Sequence, residues 1–190
     1  ATFLAVAGSA LRTEATAKAR DTLLRVPHPL TPLIGRDTDM AVITSAIRDE
    51  HRRLVTLTGP GGVGKSRLAV AAAARLAQTF ADGALFVDLA PLTSGEQMAV
   101  AIATALGATS SGSVPPLEVA QRVLASRQLL LVFDSFEHLL ADAPMVSDIL
   151  EGAPGVTAIV TSRAALRLRG EREIVLPPLP TPAGGAWQSL

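Results

Sequence analysis

The chain has 190 residues, enough for one substantial domain with a hydrophobic core and too few for two comfortable ones. Lys plus Arg equals Asp plus Glu at 17 each, so no overall field draws the chain to nucleic acid or to an anionic membrane. The absence of cysteine excludes disulfides, thiolate catalysis and cysteine-ligated metal centres, and His28, His51 and His138 show no ligand spacing.

The opening "ATFLAVAGSAL" lacks a basic n-region, and Gly8, Ser9 and Arg12 break its apolar run. No stretch approaches the roughly 18 apolar residues of a membrane span, which predicts a soluble, cytoplasmic protein. Starting on Ala1 and ending on "PPLPTPAGGAWQSL", the chain reads as a segment of something longer. Residues 1–28 carry Leu11, Ala15, Ala19 and Leu23 at helical spacing and run into the proline-rich "VPHPLTPL", an N-terminal linker or the tail of a preceding domain. Residues 29–180 form the domain proper, and residues 181–190 a C-terminal linker.

Within the domain, Met40, Ile43 and Ile47 share one face of a helix over Asp37–Arg48. A strand at Leu54–Thr58, a glycine loop and an Ala-rich helix from Lys65 to about Gln78 follow, then a strand at Ala84–Leu89. Thr93 and Glu96 suggest a capping box for a helix that stops at Gly107. After the loop "ATSSGSVPP" come a helix over "LEVAQRVLAS", a strand at Gln128–Phe133, a helix over "APMVSDILEG", a strand at Thr157–Thr161 and a short last strand at Ile174–Leu176. Uninterrupted apolar strands alternating with helices predict an α/β fold, a parallel sheet covered on both faces.

The glycine loop "GPGGVGKS" spans Gly59, Pro60, Gly61, Gly62, Val63, Gly64, Lys65 and Ser66, and matches G-x-x-x-x-G-K-[ST] at every fixed position, between a strand and a helix. In that pattern backbone N–H groups and the helix N-terminus cradle phosphates. Arginine outnumbers lysine fifteen to two in this chain, yet the loop carries Lys65, the compact ammonium that reaches β- and γ-phosphates. Ser66 supplies a hydroxyl to Mg²⁺.

The strand in "LLLVFDSFEHLL" ends in Asp134, which at the carboxyl edge of a parallel sheet faces the same crevice and is expected to hold Mg²⁺ through a water. Glu137 either orients the attacking water as general base or sits as a solvated acid in the first turn of the next helix. Arg163, after the strand in "VTAIVTSRAAL", either senses a γ-phosphate or forms a surface salt bridge.

Taken in order, "PLTPLIGRDTDM", "LVTLTGPGGVGKSRLA", "GALFVDLAPLT", "LLLVFDSFEHLL" and "VTAIVTSRAALRLRGEREIVLPPLP" resemble the nucleotide-binding domain of the signal-transduction ATPases with numerous domains. The likeness is to the NB-ARC-like module of large bacterial transcriptional regulators, LuxR-type and antibiotic-regulatory types included, and it covers about Pro29 to Pro180. It implies a three-layer P-loop NTPase fold with a five-stranded parallel sheet in the AAA-like order, the Thr157–Thr161 strand lying between those of the glycine loop and Asp134. It also implies ATP/ADP and Mg²⁺ as cofactors, Arg163 as the γ-phosphate sensor, Arg67 beside the phosphates, and Ile34, Gly35 and Arg36 along the adenine side. Asp88 matches a position typical of these regulators, with no role beyond stabilising the strand-end loop.

Many relatives place Asp or Asn directly after the metal-binding Asp; here Ser135 leaves Glu137 as the nearest acid, which points to slow ATP hydrolysis. The family's helical clamp and winged-helix domains would begin after "LPPLP", so the implied partners are flanking domains of the same chain, an effector, and a second copy when ATP is bound. The main expectation is a nucleotide-dependent switch. The alternatives are a constitutive ATPase, a small-molecule kinase using "RAALRLRGEREIV" as a lid, or a structural ADP-binding module. With no tyrosine and no basic stripe outside the short arginine cluster, direct nucleic-acid recognition by this segment is not expected.

Overall fold

The computed structural model describes residues 26–27, 31–108 and 113–179. The helical spacing of Leu11 to Leu23, His28, part of the "ATSSGSVPP" loop and the C-terminal linker lie outside the described residues. The remainder forms five strands and five α-helices: α1 (Asp37–Arg48), β1 (Leu54–Thr58), α2 (Lys65–Leu76), β2 (Ala84–Asp88), α3 (Gly95–Ala105), α4 (Pro116–Leu124), β3 (Leu129–Asp134), α5 (Pro144–Gly152), β4 (Val156–Thr161) and β5 (Glu171–Val175).

All strand pairs are parallel and the order is β2-β3-β4-β1-β5, so β4 lies between β1 and β3 as the resemblance implied. Parallel crossovers are right-handed, so the direction of travel across the sheet decides which face a helix covers. The path from β1 out to β2 lays α2 on one face, where α1 joins it. The return from β2 through β3 to β4 lays α3, α4 and α5 on the other.

The strand residues sort between these layers by period 2. Leu129, Leu131, Phe133, Val156, Ala158 and Val160 pack with Met98, Ile102, Leu124, Val146 and Ile149. Val55, Leu57, Leu130, Val132 and Ile159 pack with Ile43, Leu68, Ala72 and Leu76. Both faces are therefore apolar, which is why β1, β3 and β4 read as continuous hydrophobic runs.

Several boundaries differ from the sequence reading. The N-cap of α3 is Ser94, not Thr93: its hydroxyl accepts Gln97 N–H while Gln97 Oε1 accepts Thr93 N–H, so glutamine rather than Glu96 closes the box. Strand β5 starts at Glu171, earlier than its apolar end suggested, because an edge strand tolerates the polar "ERE". The turn after β3 is two short 3₁₀ segments, Phe136–His138 and Leu140–Asp142, so Glu137 lies in a 3₁₀ turn and not in the first turn of α5. Among the described residues, no helix is long and apolar enough to cross a membrane.

Candidate nucleotide-binding site

The glycine loop leaves β1 at the sheet's carboxyl edge and enters α2 at Lys65. Two glycines there answer different demands. A Cβ on Gly59, which stands at φ +145°, would lie 2.6 Å from the Leu176 carbonyl oxygen. Gly64, the residue before α2, is left-handed at φ +98° with open space where a Cβ would be, so its requirement is conformational. Among the described residues, the backbone N–H groups of Gly61, Gly62, Gly64 and Lys65 find no backbone carbonyl. They remain available as donors to an anion, next to the positive end of α2.

Lys65 is buried, and its Nζ donates to the carbonyls of Gly59 at 2.8 Å and Pro60 at 2.9 Å. An ammonium has three N–H donors, so the loop fixes the side chain and leaves one donor over. Lys65, Ser66, Ser135, Glu137, Thr161 and Arg163 line one cleft of 380 Å³ with the loop glycines.

Asp134 meets this cleft through an intermediary. The buried Thr161 hydroxyl donates to Asp134 Oδ1 at 2.5 Å and accepts the Ser135 N–H at 2.9 Å, tying the ends of β3 and β4. Ser135 itself sits at φ +65°, a left-handed conformation that costs a non-glycine residue on the order of 1 kcal/mol. Asn or Asp enter that conformation more readily than serine.

Arg163 Nε pairs with Glu137 Oε1 at 3.5 Å, and its Nη2 lies 3.7 Å from where a Cβ on Gly61 would stand. The guanidinium therefore arches over the loop while remaining largely exposed.

The residues fit a magnesium–nucleotide ligand. The Ser66 hydroxyl, the Asp134 carboxylate behind Thr161 and a cradle of N–H groups beside the Lys65 ammonium make up the donor set, and Mg²⁺ characteristically takes one or two carboxylates plus substrate phosphates.

A family model for the AAA domain matches residues 47–161. The chain belongs to the AAA domain family. It is 36% identical over 151 residues to an uncharacterized protein of Mycobacterium tuberculosis, covering 79% of this chain and 38% of that one. A second M. tuberculosis protein, named as a candidate HTH-type transcriptional regulator, is 41% identical over 122 residues, 64% of this chain and 14% of that one. The regulatory protein AfsR of Streptomyces griseus is 28% identical over 153 residues, 75% and 15%. The chain thus spans well under half the length of these relatives.

Among solved structures, the Aeropyrum pernix ORC1 protein in complex with DNA superposes with a TM-score of 0.61 at 21% identity, covering 84% of this chain and 49% of that one. A STAND protein with a tetratricopeptide repeat sensor from Pyrococcus horikoshii superposes with a TM-score of 0.52 at 15% identity, covering 80% and 24%. At these identities the likeness concerns the fold, and the fold is the P-loop NTPase sheet the resemblance implied.

In this AAA domain the remaining residues singled out from sequence have their side chains engaged with the protein or exposed. Arg36 is buried and donates to Asp39 Oδ2 at 2.9 Å, to the Val63 carbonyl at 2.7 Å and to the Pro177 carbonyl at 2.9 Å. It fastens the glycine loop to the segment leaving β5. Ile34 is 76% exposed, and a Cβ on Gly35 would touch Leu179. Arg67 lines the cleft, but its guanidinium donates to Thr31 and the Pro32 carbonyl, anchoring the lead-in to α2. Asp88 accepts the Ala90 N–H at 3.0 Å, closing the turn after β2.

Sequence reasoning missed Thr161 as the partner of Asp134. Twenty-seven positions separate them, and only the strand order brings them together. The apolar run of β4 followed by a terminal threonine was the one signal available.

Proposed function

We propose that this AAA domain binds Mg-ATP and Mg-ADP in the glycine-loop cleft and acts as a nucleotide-dependent switch with slow ATP hydrolysis. The host would be a cytoplasmic multidomain regulator of signalling or transcription. The observation that carries this reading is the buried Lys65 ammonium, held by the carbonyls of Gly59 and Pro60 at the start of α2, beneath an arginine that arches over Gly61.

In this reading Lys65 exchanges its two carbonyls for β- and γ-phosphate oxygens, and the free N–H groups of the loop take the remaining phosphate oxygens. Ser66 and, through a water, Asp134 hold the metal ion, with Thr161 fixing the carboxylate. When bound, Mg²⁺ neutralises charge on the phosphate oxygens. Arg163 contacts the γ-phosphate alone, which gives ATP a contact that ADP lacks. Glu137 accepts the proton of the attacking water. Its pairing with Arg163 and the lack of an acid at Ser135 keep that step slow.

Ile34 and Gly35 border the adenine, while Arg36, engaged with Val63 and Pro177, supports the loop from behind. The greater length of the relatives supports flanking domains as the partners, with self-association in the ATP form; no nucleic-acid contact is assigned to this segment. A kinase lid in "RAALRLRGEREIV" is disfavoured because the backbone N–H groups of Leu166 and Leu168 are tied down by Glu171 within it.

The test is the ratio of Mg-ATP to Mg-ADP affinity, with turnover measured alongside. A switch requires the two to differ, since a ligand of equal affinity for two states shifts neither. An ATP-to-ADP affinity ratio of about tenfold in either direction with slow turnover supports the proposal. Equal affinities, or turnover at the tens per second of a dedicated catalyst, contradict it.

A further inference from the structure

Residues 162–170 form neither helix nor strand, yet they hold Arg163 over the glycine loop. On one side of Arg163 the backbone is fixed by the end of β4: Ser162 N–H donates to the Leu57 carbonyl at 3.1 Å, and Ala164 N–H to Ser162 Oγ at 3.3 Å. On the other side it is fixed by a single carboxylate. Glu171 Oε1 accepts Leu166 N–H at 2.9 Å, and Glu171 Oε2 accepts Leu168 N–H at 3.2 Å.

Arg167, between those two leucines, stands at φ +59°. That left-handed turn is the kind that aims neighbouring N–H groups into one concavity, which an anion fills. Here the anion is a side chain of the protein. Leu166 is buried in the core beneath the same turn, and Glu171 N–H returns a bond to the Leu168 carbonyl at 3.2 Å.

Glu171 begins β5, and two residues later on the same strand face Glu173 accepts the Thr58 hydroxyl at 2.7 Å, just ahead of Gly59. Alternate glutamates of this edge strand thus hold the Arg163 loop and the entry to the glycine loop.

We propose that Glu171 is a positioning residue for Arg163: its carboxylate fixes the turn at Leu166–Leu168, and with it the place from which the guanidinium reaches the γ-phosphate end of a bound triphosphate. This rests on the nucleotide-switch reading. A residue that merely stabilises the fold would affect ATP and ADP alike; one that positions Arg163 affects ATP alone, and only while Arg163 is present.

The experiment is an equilibrium titration of Mg-ATP and Mg-ADP against the wild-type chain and its Lys65→Ala, Arg163→Ala, Glu171→Ala, Glu171→Gln and Arg163→Ala/Glu171→Ala variants. Glu171→Ala is expected to weaken ATP about tenfold with ADP within about twofold. The double variant is expected to match Arg163→Ala, and Glu171→Gln, which retains one acceptor, to fall between.

Equal loss of both nucleotides, full retention of ATP, or additive losses in the double variant would overturn the proposal. Should Glu171→Ala fail to fold, Glu171→Gln decides: a selective fall in ATP affinity supports the assignment and an unchanged ratio contradicts it. An unchanged ratio in Arg163→Ala overturns the role of Glu171 while leaving nucleotide binding intact. Absent binding in the wild type, or binding unaffected by Lys65→Ala, removes the switch reading and this one together.

Discussion

The hydroxyl of Thr161 joins two strands at one point, donating to Asp134 Oδ1 at 2.5 Å while accepting the Ser135 N–H at 2.9 Å. A hydroxyl has one proton, so donation to Asp134 fixes its rotor and holds the carboxylate in one orientation. Thr161→Val keeps the shape and removes the donor. The expected result is a Mg²⁺ requirement for nucleotide binding that rises about tenfold in concentration, near the ~1.5 kcal/mol of a hydrogen bond to a charged group. Thr161→Ser is expected to restore it. Titrating Mg²⁺ at fixed nucleotide measures both; unchanged Mg²⁺ dependence in the valine variant would remove Thr161 from the site.

Arg163 extends over Gly61 and is paired only at 3.5 Å with Glu137, an exposed contact worth little by itself. Arg163→Ala is therefore expected to leave thermal stability unchanged while weakening ATP about tenfold and sparing ADP. Parallel titrations of the two nucleotides check it, and equal loss of both would sink the sensor role.

Arg36 fastens the Val63 carbonyl to the Pro177 carbonyl from a buried position. Replacing it with methionine keeps much of the volume and leaves two carbonyls and Asp39 without their donor. Unfolding free energy is expected to fall by about 2–4 kcal/mol, with weakened binding of both ATP and ADP. Denaturant melts and titrations should change together; a stable variant with normal binding would show that the guanidinium is dispensable.

Arg53 works at the opposite end of the sheet. Its guanidinium donates to the carbonyls of Leu150, Ala153 and Val156, tying the end of α5 to the start of β4, and burial lowers its pKa without discharging it. Arg53→Met is expected to cost about 2–4 kcal/mol of stability while leaving nucleotide affinities of the folded protein within about twofold. Loss of affinity at temperatures where the variant is folded would mean that the two ends of the sheet are coupled.

Much of the fold was legible because burial on both faces leaves a plain record: β1, β3 and β4 are apolar at every position except threonines and the terminal Asp134. The glycine loop was legible because its geometry admits few residue types. Strand β5 was half hidden, since an edge strand carries Glu171, Arg172 and Glu173 that no hydrophobic pattern reveals. The contacts that organise the site were not readable at all. Thr161 with Asp134, Arg36 with Pro177, and Glu171 with Leu166 depend on strand order or on loop conformation, and a side chain's partner across a sheet leaves no mark in local spacing. Arg36 illustrates the difference: the resemblance named it for the adenine side, and nothing in local spacing revealed its bonds to Asp39 and to the Val63 and Pro177 carbonyls.

The central claim is that the cleft over Lys65 binds nucleotide phosphates, and the most direct measurement is an equilibrium titration of fluorescent ADP and ATP with Mg²⁺ against wild type and Lys65→Ala. If Lys65, buried beneath the cleft, holds the phosphates as proposed, its removal is expected to weaken both nucleotides at least about a hundredfold, from micromolar or tighter affinity in the wild type. Wild-type affinity retained in Lys65→Ala would contradict the account.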